Sequence, residues 1–261
     1  MKPKAWLTDE EDSLTPERHL WQNPDDPISH YYRWIWEYLA YLPLLCDVRR
    51  DSRVLEIGCS HGRTSRGLLQ YLRSPGCYVG FDIDKTQIAE ATRRITSLSP
   101  SFVYLHTDIY HRQYNPKGAI SAKDFVFPFD DGTFDCVYAA SIFTHLLPDE
   151  MLNYFKQTRR VMNEKGRALF SFFVLDYYQG SGTSISTNYE FDHYYNGDKQ
   201  IGVKYTEYQQ WPCFFLGAPG MAQTLGGASP LRTRPGESLA ITARVFIARW
   251  NLKEAGGKAL V

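Results

Sequence analysis

Residues 54–63, Val-Leu-Glu-Ile-Gly-Cys-Ser-His-Gly-Arg, constrain the fold more than any other stretch of this chain. An apolar run from Val54 to Ile57 carries a carboxylate at Glu56 and breaks into a turn with glycines at 58 and 62. Leu68, Leu69 and Leu72 then recur at helical spacing. A strand that enters a helix through glycines brings backbone N–H groups close to a ligand. The spacing is Glu-x-Gly-x-x-x-Gly, not the Gly-x-Gly-x-x-Gly that cradles a dinucleotide pyrophosphate. A carboxylate facing such a turn suits a ligand with an ammonium group and no phosphates. Taken alone, the corner has a second explanation, tight packing that needs glycine for its backbone angles.

The segments that follow favour the ligand. Cys77–Phe81 is a second short apolar run, ending at Asp82-Ile83-Asp84. Asp82 lies twenty residues past Gly62, where a doubly wound fold sets an acid on ribose hydroxyls. The competing role, an acid at a helix N-terminus, falls to Asp84. A third run, Phe102–His106, ends in Thr107-Asp108-Ile109, the place for a polar side chain that reads an adenine amino group. A fourth, Phe134–Ala139, leads to Ser141 and His145. An ammonium, a ribose and an adenine without phosphates describe S-adenosylmethionine (SAM), and the expected cofactor is SAM.

With these residues in view, the chain from about 50 to 175 resembles the class I SAM-dependent methyltransferase superfamily. The matching segments are VLEIGCSHGR, YVGFDID, LHTDIY, FPFDDGTFDCVYAASIFTHL and RRVMNEKGRALFSFF. Within it the chain is similar to a bacterial subgroup of small-molecule enzymes with a Tyr-Asn-Pro-x-Gly insert, Tyr114–Gly118, and a Phe-Thr-His-Leu-Leu-Pro run, Phe143–Pro148. The resemblance implies that Glu56, Gly58 and Gly62 flank the methionine part of SAM, Asp82 the ribose and Asp108 the adenine. Cys59, Ser60, Ile83, Ile109 and Ser141 complete the expected cofactor shell. Two departures stand out: the usual Gly-Cys-Gly is Gly58-Cys59-Ser60, and the usual Pro-Gly-Gly turn is Glu164-Lys165-Gly166. Ser60 therefore requires a turn whose φ tolerates a Cβ.

The implied fold is α/β, Rossmann-like and doubly wound. Its mostly parallel sheet has seven strands, the last antiparallel, and an N-terminal helical lid is added. At 261 residues the chain holds one such domain with extensions and needs no second core. Residues 1–45 read as an irregular arm and an aromatic helix, and 46–261 as the methyltransferase domain. Tyr31, Tyr32, Trp34, Trp36, Tyr38 and Tyr41 make the segment before Pro43 apolar on most faces, which argues for burial. Packing across the sheet edge and covering the SAM pocket are both open to it. Ile88, Ala91 and Ile95 mark the second core helix. Pro148 to Met162 is the clearest helix, with Asp149 and Glu150 at its positive end and Arg159 and Arg160 at its negative end. Met151, Leu152, Tyr154, Phe155, Thr158 and Val161 form its expected buried side. Arg167–Leu175 reads as a central parallel strand, and Ile241–Trp250 as the last strand. The connection 107–133 is long enough to be functional. Residues 176–240, rich in Gly, Pro, Tyr and Ser, read as an acceptor cap in which the family would place a helix and a strand.

Charge and cysteine content narrow the partners. Lys plus Arg and Asp plus Glu number 29 each, so no net field draws the chain to nucleic acid or an anionic membrane. No run reaches membrane-span length. The five cysteines are irregularly spaced, as reduced thiols in a cytoplasmic protein would be, and no metal is expected. The N-terminal residues lack the pattern of a signal peptide. Oligomeric state is not encoded in any visible pattern.

The expected activity is methyl transfer to a small-molecule acceptor, with oxygen the preferred atom. For a hydroxyl acceptor a general base helps, and His145 follows the fourth strand at the carboxyl edge of the sheet, where ligands bind. His145 has a second reading, as a cap or packing group for the helix that starts at Pro148. Asp176 and Tyr177 could line the acceptor side. A nicotinamide enzyme is disfavoured by the glycine spacing, and a base-methylating enzyme by the lack of an Asn/Asp-Pro-Pro-Tyr segment. A non-catalytic SAM-binding or scaffold protein is the alternative on the same fold.

Overall fold

The computed structural model describes residues 29–172 together with strand segments 193–195, 198–206, 209–214 and 244–248. The chain divides into two compact units, Met1–Ala119 and Ile120–Val261. Both are built on parallel strands, and the fold is α/β and Rossmann-like.

The first unit opens with α1, Ser29–Cys46. Ile35, Tyr38, Leu42 and Cys46 are its buried positions, spaced as one helical face. Trp36 is 48% exposed and Leu44 is 78% exposed, so the aromatic segment is amphipathic rather than buried all round. Pro43 lies inside the helix, and the expected stop there comes a turn late. Strands β1, Arg53–Ile57, β2, Cys77–Asp82, and β3, Phe102–His106, pair in parallel in the order β3-β2-β1. Val54 to Ile57 are all buried, the mark of a strand covered on both faces. In β3, buried Phe102 and Tyr104 flank exposed Val103, and the strand ends at exposed His106. Helix α2, Ser65–Tyr71, packs on α1 through a glycine. A Cβ on Gly67 would stand 3.1 Å from Ile35 Cγ2 and 3.3 Å from Leu39 Cβ. Helix α3, Lys85–Ala91, continues as one π-helical turn, Thr92–Thr96. The wider turn absorbs an extra residue and still delivers Ile95 to the interior.

The second unit carries β4, Phe134–Ala139, α4, Pro148–Val161, and β5, Met162–Phe172. Strand β5 is parallel to β4, with Ala139 opposite Phe170, and starts at Met162 rather than Arg167. The apolar face of α4 holds Met151, Tyr154, Phe155, Thr158 and Val161, whereas Leu152 lies 39% exposed outside it. Phe143, stacked on Phe155 at 4.8 Å and 4.7 Å from the Phe170 ring, ties the segment after β4 to helix and strand. Residues 120–132 contain no helix or strand and are stitched to α4 by three polar side chains at helical spacing. Asn153 Nδ2 donates to Ala122 O at 2.9 Å and Phe125 O at 2.8 Å. Arg160 donates to Phe127 O and Phe129 O, both at 2.7 Å, and Gln157 accepts from Phe127 N–H and from Arg160.

Three further strands, β6 (His193–Tyr195), β7 (Asp198–Thr206) and β8 (Gln209–Phe214), form a separate antiparallel sheet. They stand where a helix and a strand were expected within 176–240; the rest of that segment lies outside the described residues, as do Asp176 and Tyr177. Strand β9, Arg244–Ala248, runs antiparallel to β5. Among the described residues no helix is long and apolar enough to cross a membrane.

Candidate functional site

The corner after β1 is built by three residues of positive φ, Gly58 (+71°), Ser60 (+52°) and Gly62 (+80°). Gly58 N–H and Cys59 N–H both donate to Phe81 O, at 2.9 and 3.1 Å, so the turn stays tied to the end of β2. Gly62 is a true close approach: a Cβ there would lie 2.6 Å from Ile95 Cδ1 and 2.8 Å from Tyr104 OH. Ser65, on the first turn of α2, donates to Gly62 O at 2.9 Å and shares a hydrogen bond with Tyr104 OH at 2.6 Å.

Glu56 is buried beneath this turn. Its carboxylate accepts from the Thr64 and Tyr78 hydroxyls, which satisfies a charge that would otherwise be costly to bury. Gly80, paired with Glu56 across β1 and β2, makes the room. A Cβ at Gly80 would meet Cys59 Cβ and Tyr78 OH at 2.6 Å each. Cys59 fills that hollow, 2% exposed. Burial, then the Asp82 and Glu56 charges, push its thiol well above the ordinary range, so it is a protonated packing group and not a thiolate.

Asp82 ends β2 with both carboxylate oxygens on backbone donors. Ser60 N–H reaches Oδ2 at 2.8 Å and Asp84 N–H reaches Oδ1 at 2.9 Å. Burial raises its pKa, with these N–H bonds opposing and the Asp84 charge adding to the rise. Asp84 is the cap of α3, accepting from Thr86 and Gln87 N–H, the role assigned to it from sequence. The left-handed conformation of Ser60 costs on the order of 1 kcal/mol for a residue with a Cβ. Its side chain offsets this: the hydroxyl donates to Gln87 Oε1, and Gln87 Nε2 donates to Asp84 Oδ2 at 3.0 Å. With that proton on Gln87, His61 Nδ1, 3.0 Å from Ser60 Oγ, must be the donor in their bond. His61 is buried; burial first, then the Arg63 charge, hold its pKa down at about 4, so the ring is neutral.

The end of β3 adjoins Asp82. Thr107 N–H donates to Asp82 O at 2.9 Å and its hydroxyl lies 3.2 Å from the same oxygen. Asp108 is exposed, its carboxylate accepting from Asn115 Nδ2 and Ala119 N–H. Ile109 is buried and Ile83 half-buried. Thus Glu56, Gly58, Cys59, Ser60, Gly62, Asp82, Ile83, Asp108 and Ile109 all belong to one unit, at the carboxyl ends of its three parallel strands.

Ser141 and His145 belong to the second unit. Ser141, at φ +58°, donates its N–H to Ser171 Oγ at 2.6 Å, and Thr144 Oγ1 donates to Ser141 O at 3.1 Å. His145 is half-buried in the turn before α4, its N–H on Ile142 O at 2.9 Å. The helix cap is not His145 but Leu147, whose N–H donates to Glu150 Oε2 at 2.7 Å. Burial, then the Asp149 charge, raise the Glu150 pKa against that bond.

The chemistry of the first unit's corner fits SAM. Its inward side chains are acceptors, Glu56 and Asp82, which suit an ammonium and ribose hydroxyls. Its two cations are turned onto aromatic faces of α1: the Arg63 guanidinium lies 5.1 Å from the Trp34 ring centroid and Arg66 lies 5.3 Å from Tyr32. Sequence reasoning missed Thr64, Tyr78, Gln87, Asn115 and Ser171. Tyr78 was hidden in an apolar run, and the only advance signal for Asn115 was the insert that contains it.

Residues 54–166 match the family model described as a methyltransferase domain. The PH0226 protein from Pyrococcus horikoshii OT3 is 17% identical with a TM-score of 0.58, over 84% of this chain and 91% of that one. The Burkholderia thailandensis 1,6-didemethyltoxoflavin-N1-methyltransferase, solved with 1,6-didemethyltoxoflavin and S-adenosylhomocysteine, is 15% identical with a TM-score of 0.52, over 95% and 92%. The YcgJ protein from Bacillus subtilis is 18% identical with a TM-score of 0.41, over 53% of this chain, and the match spans 52% of that protein's length. The acceptor-lined glycine corner and the acid at the end of β2 both lie within the segment, residues 54–166, that matches a methyltransferase domain.

Proposed function

We propose that this protein transfers a methyl group from SAM to a small-molecule acceptor, with a hydroxyl oxygen as the preferred atom. The observation that carries the cofactor half is Asp82: a half-buried carboxylate fixed by Ser60 and Asp84 N–H groups, with a lone pair on each oxygen left for ribose hydroxyls. Glu56 would take the methionine ammonium, Gly58 and Gly62 would let the backbone approach it, and Asp108 would accept from the adenine amino group. SAM supplies an electrophilic methyl carbon, so the protein's main task is to align the acceptor. Orientation alone is worth several kcal/mol, up to about 7–11.

His145 is the proposed base, taking the acceptor's hydroxyl proton as the oxygen–carbon bond forms. A histidine's ordinary pKa suits that task near neutral pH. The seven-stranded sheet with its antiparallel last strand, the division into an arm and lid (1–45) and a methyltransferase domain (46–261), and the acceptor cap over 176–240 are part of this proposal. So are a cytoplasmic setting, consistent with buried free cysteines, and independence from nucleic acid, supported by the balanced charge. Nitrogen as the methylated atom is the second reading, because the toxoflavin enzyme of the same fold is an N1-methyltransferase.

Isothermal titration with SAM and S-adenosylhomocysteine tests the cofactor site. Micromolar binding is expected, weakened at least about tenfold in Asp82→Ala by loss of the ribose bonds. Absence of heat with either ligand, in folded protein, refutes the proposal. S-adenosylhomocysteine release with a metabolite panel then finds the acceptor, and near-full turnover by His145→Ala on it would remove His145 as base.

A further inference from the structure

The Tyr-Asn-Pro-x-Gly insert has no part in the function proposed above, yet it folds back on the segment after β3. His111 and Asn115 face each other as an antiparallel bridge, each N–H donating to the other's carbonyl at 3.0 Å. The turn between them is closed by the His111 ring, whose Nδ1 accepts from Gln113 N–H at 3.2 Å and Tyr114 N–H at 3.1 Å. Gly118 N–H donates to Asn115 O at 3.1 Å. A Cβ on Gly118 would lie 2.5 Å from the Ile109 carbonyl carbon and oxygen and 2.5 Å from Tyr110 N. Only glycine lets the insert lie so close, which explains its place in the motif.

This closure delivers the Asn115 amide to Asp108. Nδ2 donates to Asp108 Oδ1 at 3.2 Å and to Ile109 O at 3.0 Å, so both of its hydrogens are used. Ala119 N–H donates to Asp108 Oδ2 at 3.3 Å. An exposed aspartate at a strand end would otherwise sample several rotamers. Here each carboxylate oxygen has one donor, which fixes the carboxylate plane and leaves acceptor capacity on both oxygens.

We propose that Asn115 is a positioning residue. It holds the Asp108 carboxylate ready for the exocyclic amino group of the cofactor's base, so the insert sets selectivity for adenine over a purine with oxygen at that position. The inference rests on the reading of Asp108 as the adenine acceptor. An amino group donates to a carboxylate, whereas a carbonyl oxygen there places acceptor against acceptor. Discrimination then depends on the carboxylate being held, because a mobile one swings away from the wrong base at little cost.

The test is isothermal titration of the full chain with S-adenosylhomocysteine and with S-inosylhomocysteine, which carries oxygen in place of the amino group. The proteins compared are the unmodified chain, Asp108→Ala, Asn115→Ala and Asn115→Asp. The unmodified chain should favour the adenine ligand by roughly tenfold or more, the worth of one charge-assisted hydrogen bond. Asp108→Ala should erase the preference. Asn115→Ala should cut it to under about threefold by weakening only the adenine ligand. Asn115→Asp, equal in shape, does the same by repelling Asp108, and serves if the alanine variant fails to fold by circular dichroism. If Asp108→Ala erases the preference while both Asn115 variants keep it, Asn115 has no such role and Asp108 stands. Equal weakening of both ligands by the Asn115 variants likewise overturns the proposal, leaving a structural loop. A preference that survives Asp108→Ala overturns both readings, and failure of the unmodified chain to bind either ligand overturns the cofactor site itself.

Discussion

His61 makes a measurable claim about stability and pH. The ordinary pKa of 6.5 falls to about 4 in the folded chain, through burial first and the Arg63 charge second, against the Gln87 bond and the Glu90 and Asp84 charges. Between these two values the unfolded chain binds a proton that the folded chain refuses. Stability is therefore complete above pH 6.5, falls as pH drops below it, and levels off near pH 4. Each pKa unit is worth about 1.4 kcal/mol, so the whole window amounts to about 3 kcal/mol, of which about 2 kcal/mol is gone by pH 5. The assay is guanidinium unfolding at pH 7 and pH 5 for the unmodified chain and for His61→Asn, which keeps a polar side chain beside Ser60 but does not titrate. Asp82, Glu150 and the other titrating groups are common to both proteins, so only the difference in pH slope matters, not the absolute stability of the variant. The unmodified chain should lose about 2 kcal/mol more than His61→Asn over this interval. Parallel losses in the two proteins refute the burial of a neutral His61.

Asn153→Ala, which leaves the Ala122 and Phe125 carbonyls without their donor, should cost roughly 1–3 kcal/mol in chemical denaturation, and a loss below about 0.5 kcal/mol contradicts the stitching of 120–132 to α4. Gly62→Ala forces a Cβ to 2.6 Å from Ile95 Cδ1 at φ +80° and should cost roughly 1–3 kcal/mol while weakening SAM binding. An unchanged melting temperature and affinity would show that the corner has more room than this geometry allows.

The strands and glycine corner could be read from local pattern because their signals are local. Val54–Ile57 is a buried run that is apolar but for Glu56, and the Asp84 cap and the Pro148 helix start obey rules that span only a few residues. The expected cofactor residues of the first unit do gather at one strand edge, because parallel strands send their carboxyl ends the same way. What escaped depends on contacts distant in sequence. Ser60 meets Gln87 twenty-seven positions on, and Tyr78 reaches Glu56 only because Gly80 is empty beside it. Leu152 sits within an apolar set by composition yet falls outside the face that α4 presents, by angle alone. The helix through Pro43 reflects tertiary packing of Leu42 and Cys46, both buried, which outweighs a proline near a helix end.

Cys59 gives this corner an internal clock. Its sulfur is shielded under Gly80, and its own N–H is pinned to Phe81. A maleimide or disulfide reagent can reach it only when that pin releases and the corner comes away from β2. The rate of its modification in the native protein thus reports how often the corner opens, without any engineered label. A bound cofactor that bridges Glu56 and Asp82 would slow that rate in proportion to the occupancy of the site. A buried packing thiol thereby becomes a readout of ligand binding at the corner.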